Sequence, residues 1–508
     1  HTFRTTKAAP VPFSVPGILV LGLLLAAPSC FGEYEDLVKC FQDPEYESIL
    51  VTAQKGLHFS PLPKRVVVEG PGMSGLTAAK ALQDAGHQVT TMSGGRVVTF
   101  RNKKEGHVPL GQVPCFACIH SRLVHTYVRK LGLKLNKFIQ YDGNTWFLIN
   151  GKHYRTREVK ANPELLGYSM NPKEKGKNAM NLFYRSIEKL KRNMKNFDCS
   201  HLLSFCDSYS TKAYLLKEGM LSQGAVKMIG DVLNEESGHS KSLLESLQAD
   251  MIFESDNFSE ITGGFDQLPK ALNMSLKPGT IHLGSRMKTV VRDGPEVRIS
   301  YQVGKPNSTL HTLTADFVII SRLITFEPPL SLGKMDALRS VHHTSATKVV
   351  LACHESFWER DGIRGGISTT ERPSRCIYYP SHSFPSGKGV LLASYTVDDD
   401  SLFFLSMNQD QVVDIVLEDL AAMHQMPKEE LRRRCPSSFT PHQLADYSQQ
   451  LFQPEDRIYF AGEHTSLPHA WIDTAIKSGL RAARDIQAAV DEEATGGQKT
   501  FTNTQDHV

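Results

Sequence analysis

Residues 64–96 constrain the fold of this chain more than any other part of the sequence. The β-branched run 64–69 predicts a short buried strand, and the next six residues, Gly70-Pro71-Gly72-Met73-Ser74-Gly75, form a GxGxxG turn. The Ala/Leu-rich segment 76–85 predicts a helix, and 87–91 predicts a second strand. A glycine turn between a strand and a helix, within one unit of about 30 residues, is typical of dinucleotide binding. Its glycines let the backbone approach a pyrophosphate, whose charge the helix N-terminus attracts.

Two features depart from this pattern. Pro71 removes one backbone N–H from the turn. No acidic residue follows about 20 residues later, where it would bind the adenosine ribose, because Met92 is followed directly by Ser93-Gly94-Gly95-Arg96. The sequence therefore predicts phosphate binding here but not ribose recognition. The alternative is a tight strand-to-helix turn that binds no ligand.

A second polar segment lies near the C-terminus. Residues 457–464 predict a strand that ends in Gly462-Glu463, and a helix rich in small residues begins at Trp471 and runs to Ala489. An acidic residue beside a helix N-terminus suits a ribityl chain and the electron-rich end of a flavin ring. The alternative is a purely structural βα unit. The polar tail that follows Ala489 is predicted to be disordered.

Length and charge limit the function classes. A chain of 508 residues is long enough for two or three domains. Its net charge of +3 comes from interspersed basic and acidic residues, so we predict no nucleic-acid partner. No metal site is predicted.

The N-terminal residues predict export. Arg4 and Lys7 precede the apolar run 15–27, which suits a signal peptide (1–32) cut between Ala27 and Gly32. A membrane anchor is the alternative. Nine cysteines in an exported chain imply disulfides with at least one thiol left over. Three N-glycosylation patterns agree with a secreted glycoprotein; they begin at Asn257, Asn273 and Asn307.

The middle of the chain divides into two kinds of pattern. Between residues 162 and 256 helical patterns dominate, including 178–197 and 211–233, and they indicate a helical insertion. From residue 281 onwards strands are predicted, and an amphipathic helix is predicted over 411–424. The strand candidates are 281–291, 296–303, 317–320, 347–352 and 389–395.

Taken together, these residues resemble the secreted FAD-dependent L-amino-acid oxidases, relatives of the monoamine and polyamine oxidases. The resemblance covers residues 40–490 and rests on short motifs in order along the chain: 64–75, Gly94-Gly95-Arg96, Ser210-Thr211-Lys212, Gly263-Gly264-Phe265-Asp266, Ser345-Ala346-Thr347-Lys348, Phe357-Trp358, Pro373-Ser374-Arg375, Gly462-Glu463-His464-Thr465 and Trp471-Ile472-Asp473.

The resemblance implies an α/β fold with a Rossmann-like FAD-binding domain of the flavin amine oxidase type, a mixed-sheet substrate domain and a helical insertion. The implied division is a helical segment at 33–60, FAD-binding parts at 61–100, 256–338 and 451–490, substrate-domain parts at 101–157 and 339–450, a helical domain at 158–255 and a tail at 491–508.

The resemblance also implies roles for individual residues. Lys348 matches a catalytic lysine that holds a water near the reactive nitrogen of the flavin, and without the resemblance a solvated strand lysine is the simpler interpretation. Tyr395 matches a residue that holds the substrate carboxylate, while Trp471 and Ala470 match the wall of the substrate pocket. The implied flavin contacts are Gly70, Gly72, Met73, Ser74, Gly75, Gly95, Arg96, Met287, Gly462, Glu463, Trp471, Ile472, Asp473 and Thr474. The implied disulfides are Cys40–Cys199 and Cys353–Cys435.

The implied reaction transfers a hydride from the α-carbon of an apolar or aromatic L-amino acid to FAD. Its products are a 2-oxo acid, ammonia and, after reoxidation by O2, hydrogen peroxide. The arginine that clamps the substrate carboxylate in this family is absent from Leu110-Gly111-Gln112-Val113-Pro114-Cys115, and a histidine proposed as a base is Ala249. These departures leave two alternatives open: a catalytically impaired member of the family, and an amine or polyamine oxidase. A homodimer, no stable membrane anchor, and an extracellular or lysosomal/granule location are also expected.

Overall fold

The computed structural model of the chain describes residues 40, 43–92, 95, 97, 99–102, 108–110, 117–118, 121–193, 198–234, 237–253, 258–304, 308–321, 324–340, 345–382, 387–439, 453–466 and 471–495. Several predictions lie outside these residues: the signal peptide, Arg96, Ala470, and the glycosylation positions Asn257 and Asn307.

Helices and strands both contribute to the structure, as in an α/β fold. In chain order the helices are α1 (Tyr46–Lys55), α2 (Met73–Asp84), α3 (Arg122–Lys130), α4 (Thr156–Ala161), α5 (Ala179–Asn193), α6 (Cys199–Asp207), α7 (Thr211–Lys217), α8 (Gln223–Leu233), α9 (Leu243–Phe253), α10 (Gln267–Met274), α11 (Leu332–Ser340), α12 (Asp398–Leu402), α13 (Gln409–His424), α14 (Lys428–Arg434) and α15 (Ile472–Ala494). Short 3-10 turns span Pro163–Leu166, Ser237–Ser240, Phe357–Asp361 and Glu463–Thr465.

The strands, in the same order, are β1 (Arg65–Glu69), β2 (Gln88–Met92), β3 (Phe100–Asn102), β4 (Val108–Leu110), β5 (Ala117–Cys118), β6 (Leu135–Phe138), β7 (Trp146–Ile149), β8 (Lys152–Arg155), β9 (Phe258–Ile261), β10 (Ile281–His282), β11 (Ser285–Asp293), β12 (Glu296–Val303), β13 (Leu310–Ala315), β14 (Phe317–Ile320), β15 (Thr325–Glu327), β16 (Ala346–Cys353), β17 (Ile367–Thr370), β18 (Cys376–Tyr378), β19 (Gly389–Val397), β20 (Ser437–Phe439) and β21 (Ile458–Phe460).

A parallel sheet lies at the centre of the predicted nucleotide-binding part. Its order is β10-β2-β1-β14-β21. The valines of β1 are buried on both faces, as expected for a central strand covered on both sides. Helices α2 and α15 pack together on one face, in the same hydrophobic core as Val66 and Ile319. Segments remote in sequence thus form one parallel sheet.

A second, mixed sheet has seven strands in the order β20-β16-β19-β18-β17-β7-β8. One face carries Val349, Leu351 and Leu391, which pack on helix α13. The opposite face presents Lys348, which alternates with Val349, and also Tyr395, because a register shift between β16 and β19 reverses the alternation after Leu392. The mixed-sheet arrangement predicted for the substrate domain is confirmed.

Two predicted elements are interrupted. The helix predicted over 211–233 is two helices, because Met220 adopts a φ of +54° and Ser222 caps a new helix by accepting a hydrogen bond from the N–H of Ala225. The strand predicted over 281–291 breaks at Gly284, whose φ is +71°. Before this break β10 belongs to the parallel sheet, while after it β11 belongs to another sheet, where it pairs antiparallel with β12 and parallel with β15. Helix α15 also continues to Ala494, beyond the predicted start of the tail.

Both predicted disulfides, Cys40–Cys199 and Cys353–Cys435, are confirmed. Cys206 and Cys376 are free and buried. Within the described residues, none of the helices has the length and apolarity needed to cross a bilayer.

Removing the Cys353–Cys435 bridge is expected to lower the stability of the mixed sheet. The bridge joins residues 82 apart in sequence, so its loss restores loop entropy to the unfolded chain and costs roughly 2–5 kcal/mol of unfolding free energy. Denaturant unfolding of the Cys353→Ala/Cys435→Ala protein measures this loss. The prediction is wrong if wild-type protein and the double variant unfold at the same denaturant concentration without reductant.

Candidate active site

The first strand–helix junction is shaped for close approach of a ligand. Gly70 has a φ of +88°, in the left-handed region that favours glycine. A Cβ on Gly75 would overlap the carbonyl oxygen of Gly70, so the turn closes only with glycine there. No side chain caps helix α2 at Gly72, and its first turn holds no acidic residue. The positive end of this helix is therefore left for an anionic ligand, as a pyrophosphate requires.

The second junction follows β21. Gly462 leads into the 3-10 turn Glu463–Thr465, and Trp471 is the N-cap of α15, again without a side-chain cap. The side chain of Glu463 lies outside what the structure describes. This turn follows the carboxyl end of a parallel strand, which is where ligands bind in open α/β sheets.

The two junctions meet. Strand β14 pairs with both β1 and β21, so it brings the two turns to the same edge of the sheet. The N–H of Gly462 donates to Ser478 Oγ (3.0 Å), which lies 3.2 Å from Ser74 Oγ. A Cβ on Gly479 would overlap the carbonyl oxygen of Ser74, so the helices touch backbone to backbone at this point. The two βα segments, remote in sequence, are therefore adjacent in the fold, and that they bind one cofactor stays a prediction.

The sequence did not predict the hydrogen bonds that join the carboxyl ends of β1 and β14. Ser321, directly after β14, hydrogen-bonds through its hydroxyl to the carbonyl oxygen (2.7 Å) and carboxylate (2.8 Å) of buried Glu69. A Cβ on Gly70 would lie only 2.5 Å from this hydroxyl oxygen. Nothing in the sequence pairs residues so far apart.

Three residues that were predicted to contact the flavin have side chains buried within the protein. The Asp473 carboxylate accepts hydrogen bonds from the N–H of Val124 (2.9 Å) and the hydroxyl of Tyr46 (2.7 Å). Burial raises the pKa of Asp473, and these two donors oppose the rise. Met287 and Thr474 are buried, Met287 in a core beneath the sheet. Any cofactor contact of Asp473 would therefore come from its backbone.

The mixed sheet brings together the predicted catalytic lysine and substrate tyrosine. Lys348 on β16 pairs with Tyr395 on β19, and its ammonium nitrogen lies 4.4 Å from the centre of the Tyr395 ring. The ring of Tyr378 lies 6.0 Å from that of Tyr395. The floor beneath them is apolar and includes Val350 and Leu392. A cation, a phenol and an apolar floor suit a ligand with a carboxylate and an apolar body.

Arg122 lies near the altered motif in sequence, but it does not replace the missing arginine that would clamp the substrate carboxylate. Its guanidinium pairs with Glu47 (Nη2–Oε2, 3.1 Å) and lies over the Tyr46 ring. This pair is on the surface of the molecule, so Arg122 is not a substitute clamp.

Glycine turns that meet at one edge of a parallel sheet, together with a lysine–tyrosine pair on a mixed sheet, are the features expected of a flavin-dependent oxidoreductase. The described residues fit FAD: no side chain caps the N-terminus of α2, and the glycine turn before it leaves no room for side chains. The sequence profile of the flavin containing amine oxidoreductases matches residues 73–487, and the chain belongs to this family.

Its relatives within the family are L-amino-acid oxidases. The chain is 45% identical to the L-amino-acid oxidase BmooLAAO-I of Bothrops moojeni over 496 residues, which cover 92% of this chain and 98% of that protein. It is also 45% identical to the L-amino-acid oxidase of Naja atra, over 93% of this chain and 97% of the relative.

Solved structures share the fold. A putrescine oxidase structure superposes with a TM-score of 0.66 at 18% identity, covering 84% of this chain and 99% of that one. The cyclohexylamine oxidase of Brevibacterium oxydans gives 0.63 at 16% identity, over 85% and 100%. At such identities the likeness shows the α/β flavin amine oxidase fold alone.

Proposed function

We propose that the chain catalyses oxidative deamination of L-amino acids, with O2 as acceptor and a 2-oxo acid, ammonia and hydrogen peroxide as products. The observation that carries the proposal is 45% identity to L-amino-acid oxidases over 92% of the chain. It favours this activity over an amine or polyamine oxidase, whose solved examples share only the fold. Apolar or aromatic substrates fit the apolar floor beside Tyr395.

The two junctions hold the cofactor in this proposal. Bound FAD supplies the acceptor for the hydride of the α-carbon and passes the electrons to O2. The backbone of Gly70, Gly72 and Gly75 holds the pyrophosphate at the start of α2. The other proposed contacts are Met73, Ser74, Gly95, Arg96, Met287, Gly462, Glu463, Trp471, Ile472, Asp473 and Thr474.

The mixed sheet supplies the substrate contacts. The Tyr395 hydroxyl would donate a hydrogen bond to the substrate carboxylate, and the Lys348 ammonium would hold a water near the reactive nitrogen of the flavin. Because Lys348 and Tyr395 occupy paired positions on adjacent strands, a rigid element sets their separation. Trp471 and Ala470 complete the pocket wall.

We further propose that the protein is exported and acts outside the cell or in a lysosomal or granule lumen, as a homodimer. Its relationship to L-amino-acid oxidases and its two disulfides support export. The domain boundaries inferred from the sequence are retained within the same proposal.

A peroxide assay with a substrate panel tests the activity. Flavin-loaded protein is expected to release peroxide with L-phenylalanine, but not with D-phenylalanine or putrescine. Lys348→Met is expected to retain the flavin absorbance and to lower kcat by about a hundredfold, the usual scale for a positioned proton-transfer group. The control is Lys288→Met, a half-buried lysine on β11, which should leave kcat unchanged. Turnover of putrescine alone, or none at all, would reject the proposal.

A further inference from the structure

Two residues that flank Tyr395 adopt a backbone conformation that side chains disfavour. Arg375 has a φ of +51° and forms a bridge with Tyr395, while Asp398 has a φ of +48° and begins α12, just beyond the end of Tyr395's strand. Both are charged and buried. Non-glycine residues keep this conformation only where the surroundings enforce it, and such positions concentrate at functional sites.

The Arg375 guanidinium joins three segments of the chain. Its Nη1 lies 3.2 Å from Asp231 Oδ1, and its Nε lies 3.3 Å from Asp400 Oδ2. Asp231 belongs to helix α8 of the helical region, and Asp400 belongs to α12. The side chains of Arg375 and Asp231 are 6% and 1% exposed, so solvent screens this pair very little.

A second ion pair joins the same two regions. Lys241, which precedes α9 of the helical region, contacts Asp398 with an Nζ–Oδ2 distance of 2.9 Å. We call these five residues the ionic clasp: Asp231, Lys241, Arg375, Asp398 and Asp400. The clasp ties the helical region to both segments that flank Tyr395.

Strand pairing connects the ionic clasp to the lysine–tyrosine pair. Tyr395 lies between β16, where its partner is Lys348, and β18, where its partner is Cys376, and it also forms a bridge with Arg375, the residue before β18. We infer that the ionic clasp positions Tyr395 for substrate binding and that Arg375 is a positioning residue that acts through Tyr395. The inference rests on the proposed function for the substrate role of Tyr395.

Substitutions of Arg375 test the inference. In Arg375→Met, the KM for L-phenylalanine is expected to rise at least tenfold, with kcat within twofold of wild type and flavin content unchanged. Arg375→Lys, which keeps the charge, should recover part of the loss. The matched control is Arg292→Met: Arg292 forms a half-buried ion pair with Glu455 (3.1 Å), on another sheet. It should lower stability but leave KM unchanged. An unchanged KM in folded Arg375→Met would overturn the inference.

Hydrogen exchange makes the test independent of turnover. Amides of 389–400 should exchange faster in Arg375→Met than in wild type, and at the wild-type rate in Arg292→Met.

Benzoate, an aromatic carboxylate, should perturb the flavin spectrum with a dissociation constant at least tenfold higher in Arg375→Met. If the wild type oxidises no amino acid, the proposed function fails, while exchange and benzoate binding still decide the inference. Asp400→Asn, which alters the more exposed carboxylate, replaces Arg375→Met if that variant does not fold. Unchanged exchange or unchanged benzoate affinity would overturn the inference.

Discussion

Gly479→Ala is expected to yield a protein without bound flavin. A Cβ at this position would overlap the Ser74 carbonyl oxygen and lie 2.7 Å from Thr77 Oγ1. Because both contacts are on the facing helix α2, α15 must move away, and the hydrogen bonds that join Gly462, Ser478 and Ser74 are lost. Overpacking of this kind costs about 1–3 kcal/mol, and here it opens the site between the two junctions. Absorbance of the purified variant near the flavin bands measures the effect.

A second helical glycine provides the control. Gly333 lies in α11, and a Cβ there would have no neighbour within 4 Å. Gly333→Ala should therefore keep the flavin and the stability of the wild type, since alanine favours a helix. Far-UV circular dichroism separates loss of flavin from loss of fold. A yellow Gly479→Ala protein with wild-type unfolding would show that the helices need no backbone contact to bind the cofactor.

The nucleotide-binding sheet was predictable because its signals are local. The valines of β1, the turn from Gly70 to Gly75 and the small residues of α15 each impose one structure on a short segment. Their assembly was also predictable, because parallel strands direct their carboxyl ends to one edge. The disulfides and the positions of Lys348 and Tyr395 came from the resemblance and not from local pattern.

The contacts between remote side chains were not predictable. The sequence predicts that Asp473 contacts the flavin at the start of a helix, yet its carboxylate accepts hydrogen bonds from the N–H of Val124 and the Tyr46 hydroxyl. Arg375 stands in a polar turn motif, yet it is buried against Asp231. Such pairs depend on which surfaces meet after folding, and a single sequence holds no record of them.

A chain of buried hydrogen bonds lies behind the mixed sheet, away from the lysine–tyrosine pair. His424 Nδ1 lies 2.8 Å from Asp361 Oδ2, and His424 Nε2 lies 2.9 Å from the Tyr379 hydroxyl. That hydroxyl lies 3.0 Å from Ser368 Oγ, which accepts from the N–H of Trp146. One arrangement satisfies every group: a neutral His424 donates from Nδ1 to an ionised Asp361 and accepts from Tyr379 at Nε2.

The titration of this pair agrees with that arrangement. Burial lowers the pKa of His424, and the hydrogen bond and charge of Asp361 oppose the change. Burial alone would raise the pKa of Asp361, but the hydrogen bond from His424, together with the hydrogen bond from Trp146 and the charge of Arg155, brings it below its ordinary value. Folding therefore favours neutral His424 over the histidinium form and ionised Asp361 over the acid.

Stability is accordingly expected to fall in acid in two windows. The folded pKa of His424 lies below the unfolded value of about 6.5, so its contribution is complete above pH 6.5 and is lost below it, by up to about 1.4 kcal/mol per pH unit. The contribution of Asp361 is present above about pH 3.9 and is lost below it. His424→Gln, which keeps both hydrogen bonds but does not titrate, should remove the first window. His424→Phe, which leaves Asp361 and Tyr379 without this partner, should cost about 3 kcal/mol at pH 7.

Denaturant unfolding between pH 4.5 and 8 measures the loss of stability in the His424 window and the cost of His424→Phe at pH 7. Other histidines contribute to the wild-type slope, since burial also lowers the pKa of His87 and lowers that of His239 to about 4. The difference between wild type and His424→Gln isolates the contribution of one residue. His282→Gln, at an exposed position on β10, is the matched control and should keep the wild-type slope. Equal slopes for wild type and His424→Gln would mean that His424 titrates alike in the folded and unfolded chain, and the proposed hydrogen-bond arrangement would then be wrong.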